Sequence, residues 1–130
     1  MAFHCLSNSD QEKALVVWAN TSLGVLLYWW YANKTQAGRG SILRSKLSTY
    51  PVLNVTRLTP LQLRRAVSIF DEMRERGMTT IDNIGADTVR HLLDERFGRE
   101  VLNLPASLFA NDGPFDLLRR KLELEPSIRG

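Results

Sequence analysis

Along the chain, apolar positions first crowd together and then fall into a helical period. Ser9 and Glu12 have the spacing of a capping box ahead of "KALVVWAN", an octet short and β-branched enough to suit a helix or a strand. Asn20, Thr21 and Ser22 are good N-cap residues and place a second start there. From Leu23 to Ala32 the apolar character is nearly continuous, which predicts a helix buried on most of its sides. "KTQAGRGS" then reads as a loop, and "SILRSKLSTYPVLNV" as extended structure interrupted at Pro51.

The remainder is amphipathic. In "TPLQLRRAVSIFDEMRERG", Thr59 is the N-cap, Pro60 the first helical residue and Gln62 the partner in a capping box. Leu63, Ala66, Val67, Phe70 and Met73 recur at helical spacing, and Gly77 marks the end. A further helix from about Asp87 to Phe97 is expected to bury Val89, Leu92 and Leu93, with the apolar pattern continuing to Pro105. Asp112 is expected to cap a last helix starting near Pro114, with Leu117, Leu118 and Leu122 inward and Arg119, Arg120 and Lys121 outward. These elements predict a mainly α fold with a small β component, an α+β class in a single compact domain. Its bounds are expected to be an N-terminal extension over 1–12, the domain over 13–124 and a frayed tail over 125–130.

Length and composition agree with one core: 130 residues, 44% apolar. Cys5 stands alone, which rules out an intrachain disulfide and a cysteine-based zinc site and fits a reducing cytoplasm, the compartment expected here. "MAFHCLSNSDQEK" has neither the basic start nor the apolar stretch of a secretory signal. The uncharged run from Ala14 to Asn33, flanked by Lys13 and Lys34, is just long enough to span a bilayer. Asn20, Thr21, Ser22 and Gly24 interrupt its middle and raise the cost of insertion, so a buried helix is the better expectation than a membrane anchor.

Charge changes the picture more. The net charge is +3, yet no acidic residue lies between Glu12 and Asp71, where eight basic ones occur; from Ala66 to Gly130, nine basic residues face twelve acidic ones. Such segregation predicts a one-sided field that attracts polyanions, nucleic acid first among them. Within "KTQAGRGS", Gly38 and Gly40 permit close backbone approach and leave Arg39 free to project. Arg44 and Lys46 share one face of the expected extended segment, and Lys34 and Arg57 flank it. Lys34, Arg39, Arg44, Lys46 and Arg57 are therefore the candidate contacts to a phosphate backbone. The competing reading is a solvated turn and a charge-protected edge strand. Tyr28-Trp29-Trp30-Tyr31 could stack unpaired bases, but four successive rings point all round a helix and suit a core better.

Catalytic groups are few. His4 and Cys5 are neighbours near the chain start without a third orienting group; His91 sits on a helix beside Arg90; Asp94 and Glu95 are adjacent and project in different directions. No Gly-rich loop has the spacing of a Walker or dinucleotide motif. No catalytic residue, metal site or cofactor is expected.

The order of pieces resembles the C-terminal region of bacterial N6-adenine DNA methyltransferases of restriction-like systems. The residues that carry it are Asn20-Thr21-Ser22 before the Leu-rich "SLGVLLYWW", the stretch from Leu43 to Val52 with Ser45, Leu47 and Pro51, and "LLDERFGREVLNLP" from Leu92 to Pro105; together they cover most of 14–105. In that family the region belongs to, or adjoins, the target-recognition part that contacts DNA outside the methylation pocket. The family's F-x-G-x-G and [D/N]-P-P-[Y/F] motifs are absent, and the chain holds no Pro-Pro at all. The resemblance therefore implies a non-enzymatic, DNA-contacting module, a detached fragment or small accessory subunit, with DNA and a methyltransferase-like polypeptide as partners. The alternative from the residues alone is a protein-interaction or scaffold domain whose aromatic helix packs on a partner or on a second copy, without nucleic-acid binding.

Overall fold

The computed structural model describes residues 9–31, 33–34, 40–41 and 51–125. Helix α1 (Ser9–Asn20) is followed after one residue by α2 (Ser22–Tyr31). A 3-10 turn (Val55–Arg57) leads into α3 (Pro60–Met73), and a second (Ile81–Ala86) into α4 (Thr88–Arg96). The last turn of α4 widens into a π-helical segment (Phe97–Val101); a third 3-10 turn (Ala106–Phe109) precedes α5 (Pro114–Leu124).

The described residues form a helical fold without a β-sheet layer, which corrects the α+β expectation. Among the described residues, extended pairing is limited to two residues on each side, Asn33 with Ser41 and Lys34 with Gly40. Pro51 to Asn54 is irregular, and Val55–Arg57 coils into a 3-10 turn. A β-branched run becomes a strand only where a neighbouring ladder accepts its backbone groups, and Pro51 has no N–H to offer one. The rest of the expected extended segment, 42–50, lies outside the described residues. So do 1–8 and 126–130, which include most of the expected N-terminal extension and tail; α1 itself runs across the expected 12/13 boundary.

The core gathers where α1, α3 and α4 meet. Ala14, Val17 and Trp18 from α1 pack with Ala66, Ile69 and Met73 from α3 and with Leu93, Phe97 and Val101. The capping box of α3 is realised: Thr59 Oγ1 accepts from the Gln62 amide at 3.2 Å and Gln62 Oε1 from the Thr59 amide at 2.8 Å. The same Gln62 side chain donates to the Val101 carbonyl at 2.8 Å, so the start of α3 is pinned to the π turn. Helix α3 ends at Met73, four residues short of Gly77.

The uncharged run is broken at Thr21. Thr21 Oγ1 donates to the Trp18 carbonyl at 2.6 Å and accepts from the Gly24 amide at 3.2 Å, closing one helix and capping the next. No helix among the described residues is long and apolar enough to cross a membrane. Helix α2 also departs from expectation, because it is not buried on most sides. Only Ser22 and Gly24 are buried, while Tyr28 is 45% and Trp30 66% exposed. Its N-terminal turn enters the joint between α1, α4 and α5, and only one stripe of a short helix can meet those neighbours.

Candidate functional site

Of the five candidate phosphate contacts, Arg39, Arg44 and Lys46 lie outside the described residues. Lys34 is described by its backbone, which pairs with Gly40 and so ties together the two ends of the basic loop. Arg57 ends the 3-10 turn before α3 and is exposed. Arg64 and Arg65, from the first turns of α3, are exposed as well. Their environment differs from that of most later cations, Arg76 and Lys121 being exceptions. Among the described residues, Arg57, Arg64 and Arg65 form no ion pair with a carboxylate; Arg65 donates instead to the Glu100 backbone carbonyl at 3.1 Å. By contrast, Arg74 meets Glu75, Arg96 meets Glu72 and Glu100, Arg99 meets Glu95, and Arg120 meets Asp112. One cation of the acid-free stretch is neutralised: Lys13 sits 3.1 Å from Asp71. The helical geometry responsible is the i,i+4 spacing of Glu95/Arg99 and Arg96/Glu100, which has no counterpart in a stretch without acids.

The most concentrated chemistry is inside the molecule. Asp94, 2% exposed, accepts from the Ser22 amide at 2.7 Å, from Ser22 Oγ at 2.5 Å and from Arg119. Arg119, also 2% exposed, reaches Asp116 with its other terminal nitrogen. The Asp94 carboxylate thus sits at the positive end of α2 and joins that helix to α4 and α5. A second buried guanidinium, Arg90, donates to the Asn20 carbonyl at 2.5 Å and lies 3.5 Å from Asp87, the N-cap residue of its own helix. It satisfies a carbonyl left over at the end of α1.

Four sequence expectations are overturned in these helices. Arg119 points inward and Leu117, 48% exposed, points outward, because Arg119 is the side chain with a buried carboxylate to meet. Leu92 is likewise 37% exposed, while Leu93 is buried as expected and Val89 packs half-buried against the core. Asp112 is not the cap of α5: Gly113 holds that position, while the Asp112 carboxylate turns to Arg120 and its amide donates to Asp116 at 2.8 Å. The sequence does carry a signal for the buried arginine. Phe115, Leu118, Arg119 and Leu122 are spaced i, i+3, i+4, i+7, so Arg119 stands in the apolar stripe of α5.

Chemically, the hub is a clamp. Ser22 is wholly buried and its hydroxyl proton is committed to Asp94, so it is neither reachable nor activated as a nucleophile. His91, half-buried, lies 3.5 Å from Asp116, and the space beside Asp94 is about 10 Å³. Among the described residues no three His, Cys, Asp or Glu side chains are grouped to hold a metal ion.

The two aspartates titrate in opposite directions. Burial pushes the Asp94 carboxyl above the ordinary value of 3.8, outweighing its Ser22 donors and Arg119. For Asp116, desolvation is the largest influence and acts upward, but the Asp112 amide, Arg119 and His91 together bring it below 3.8. A raised folded value means stability that is complete below 3.8 and lost as pH rises through the Asp94 value. A depressed one means stability complete above 3.8 and lost as pH falls through the Asp116 value. Thermal melts between about pH 2 and 8 are expected to separate them. Asp94→Asn flattens the profile above 3.8, and Asp116→Asn flattens it below.

No family model, no curated protein and no solved structure matches the chain.

Proposed function

We propose that the chain is a non-catalytic DNA-contacting module of a bacterial modification or restriction system, working in the cytoplasm beside a methyltransferase-like polypeptide. One observation carries the reading. Cations of the acid-free stretch, Arg57, Arg64 and Arg65, are exposed without a carboxylate partner among the described residues, whereas Arg96, Arg99 and Arg120 each meet a carboxylate. Unneutralised guanidinium groups are those that can exchange solvent counterions for phosphate. Lys34, Arg39, Arg44 and Lys46 belong to the same acid-free stretch and extend the set.

Titration of a mixed-sequence duplex at several salt concentrations tests it. Affinity is expected to fall steeply with salt. Replacing Arg57, Arg64 and Arg65 with alanine is expected to shallow the log–log slope by about one unit for each phosphate that the variant no longer neutralises. The triple replacement of Arg39, Arg44 and Lys46 is expected to do the same. Arg99→Ala, which removes a guanidinium already held by Glu95, serves as the control that leaves the slope unchanged. A flat salt response, or two triple variants that bind like the parent, rejects the reading.

A second reading is favoured by α2 alone. A helix with no charged residue and with Trp30 66% exposed is suited to covering by protein. Light scattering on the same samples decides between them: an oligomer indifferent to DNA supports a scaffold domain.

A further inference from the structure

The last turn of α1, the end of α3 and the segment after it enclose a groove of about 380 Å³ that none of the α2 residues lines. Its floor is apolar: Val17, Met73 and Leu93 are buried at its base, Phe70 and Met78 are half-buried, and Val16 forms a wall at 47% exposure. Its rim is cationic. Arg74 and Arg76 line it, both exposed, together with the uncharged Asn20.

The two arginines are not equally engaged. Arg74 lies 3.2 Å from Glu75 in a solvent-exposed pair, the kind worth ~0–1 kcal/mol and readily exchanged. Arg76 has no carboxylate within ion-pair distance among the described residues, although its amide, donating to the Met73 carbonyl at 3.0 Å, fixes the turn that carries it. The nearby Asp71 is already taken by Lys13. Oil below and positive charge beside it describe the complement of an amphipathic acidic segment.

We infer that this groove docks an acidic amphipathic helix of a partner protein, one or two large apolar side chains entering between Val16 and Met78 while carboxylates one helical turn away meet Arg74 and Arg76. Three features choose that occupant. The lining comes from α1, α3, α4 and the turn after α3, with no strand among those residues to offer an edge to an extended peptide. Met73 and Met78 supply an adaptable floor of the kind that helix-binding grooves use. Val16 in its lining is 47% exposed and both arginines are exposed, so one side of a bound alkyl chain would stay wet, which suits a helix face better than a free fatty acid.

The test uses the full chain and fluorescence anisotropy of a labelled synthetic helix with leucine on one face and glutamate on the other. A second helix carries lysine in place of every glutamate. The acidic helix is expected to bind saturably, one to one, and the lysine helix at least about tenfold more weakly. The exposed pair R74E/R76E is expected to reverse that preference, and V16E, which places a carboxylate in the exposed wall, to abolish binding of the acidic helix. Circular dichroism confirms that the variants keep their helicity. Absence of saturable binding, equal binding of the two helices, or an unchanged preference in R74E/R76E overturns the inference. So does occupancy by dodecanoate in place of the helix, or a concentration-dependent dimer that V16E dissolves. None of these results depends on whether the chain binds DNA.

Discussion

Asp94→Ala is expected to lower the free energy of unfolding by about 3–5 kcal/mol, as breaking one side of a buried ion pair does. The Arg119 guanidinium would stay 2% exposed with only Asp116 to meet it, and the Ser22 amide and hydroxyl would lose their acceptor together. What destabilises the variant is a set of charges and donors stranded away from water. Asp94→Asn keeps an acceptor for Ser22 and removes only the charge, so its effect is expected to be smaller. Pairing an apolar residue of similar shape at 94 with Arg119→Met is expected to restore much of the stability, because both buried charges then leave together. Denaturant unfolding of the two single variants and the double variant checks the non-additivity. A change below about 1 kcal/mol for Asp94→Ala, the scale of a surface pair, would show that water reaches the hub.

Gly24→Ala is expected to destabilise by about 2–3 kcal/mol, the upper range of an overpacked core position. A Cβ on Gly24 would collide with the Trp18 carbonyl oxygen and lie 2.9 Å from the Ala19 Cα. Those obstacles are backbone, so no rotamer change relieves them; α1 and α2 have to move apart at their joint. The gain of about 1 kcal/mol that alanine brings to a helix interior offsets part of the strain. Because the joint also seats Ser22 on Asp94, the movement is expected to loosen α2 and redshift the fluorescence of Trp18, which is 6% exposed in the parent chain. An unaltered melting temperature would mean that the two helices already rock freely about Thr21.

Where local chemistry decides the outcome, the elements were legible. Thr59, Pro60 and Gln62 announce the start of α3 because a capping box is made by residues three apart. Asp87 does the same for α4, its side chain accepting from the Arg90 amide at 3.0 Å. The break in the uncharged run was likewise readable, since Thr21 caps with its own hydroxyl. The irregular path from Pro51 to Asn54 and the 3-10 turn after it were not, because a β-branched stretch adopts a strand only when a partner ladder is present. Nor was the orientation of α5, where three successive basic residues look like a solvated face until a buried carboxylate claims the first of them. The proposed site divides the same way: the acid-free stretch is plain in the composition, while which of its cations remain unneutralised depends on where the acids of the second half come to lie.

By itself, then, the order of amino acids determined the capped helices, the break that leaves no bilayer-spanning segment among the described residues, and the separation of a purely basic stretch from a mixed one. Tertiary structure alone decided that Asp94 is interior and meets Arg119, that Trp30 is on the surface, and that Arg74 and Arg76 border an apolar groove. Caps and charge runs depend on neighbours a few residues apart, whose geometry the chain imposes. Burial, ion pairing and grooves depend on residues such as Ser22 and Asp94, 72 positions apart, which meet only after the helices have packed.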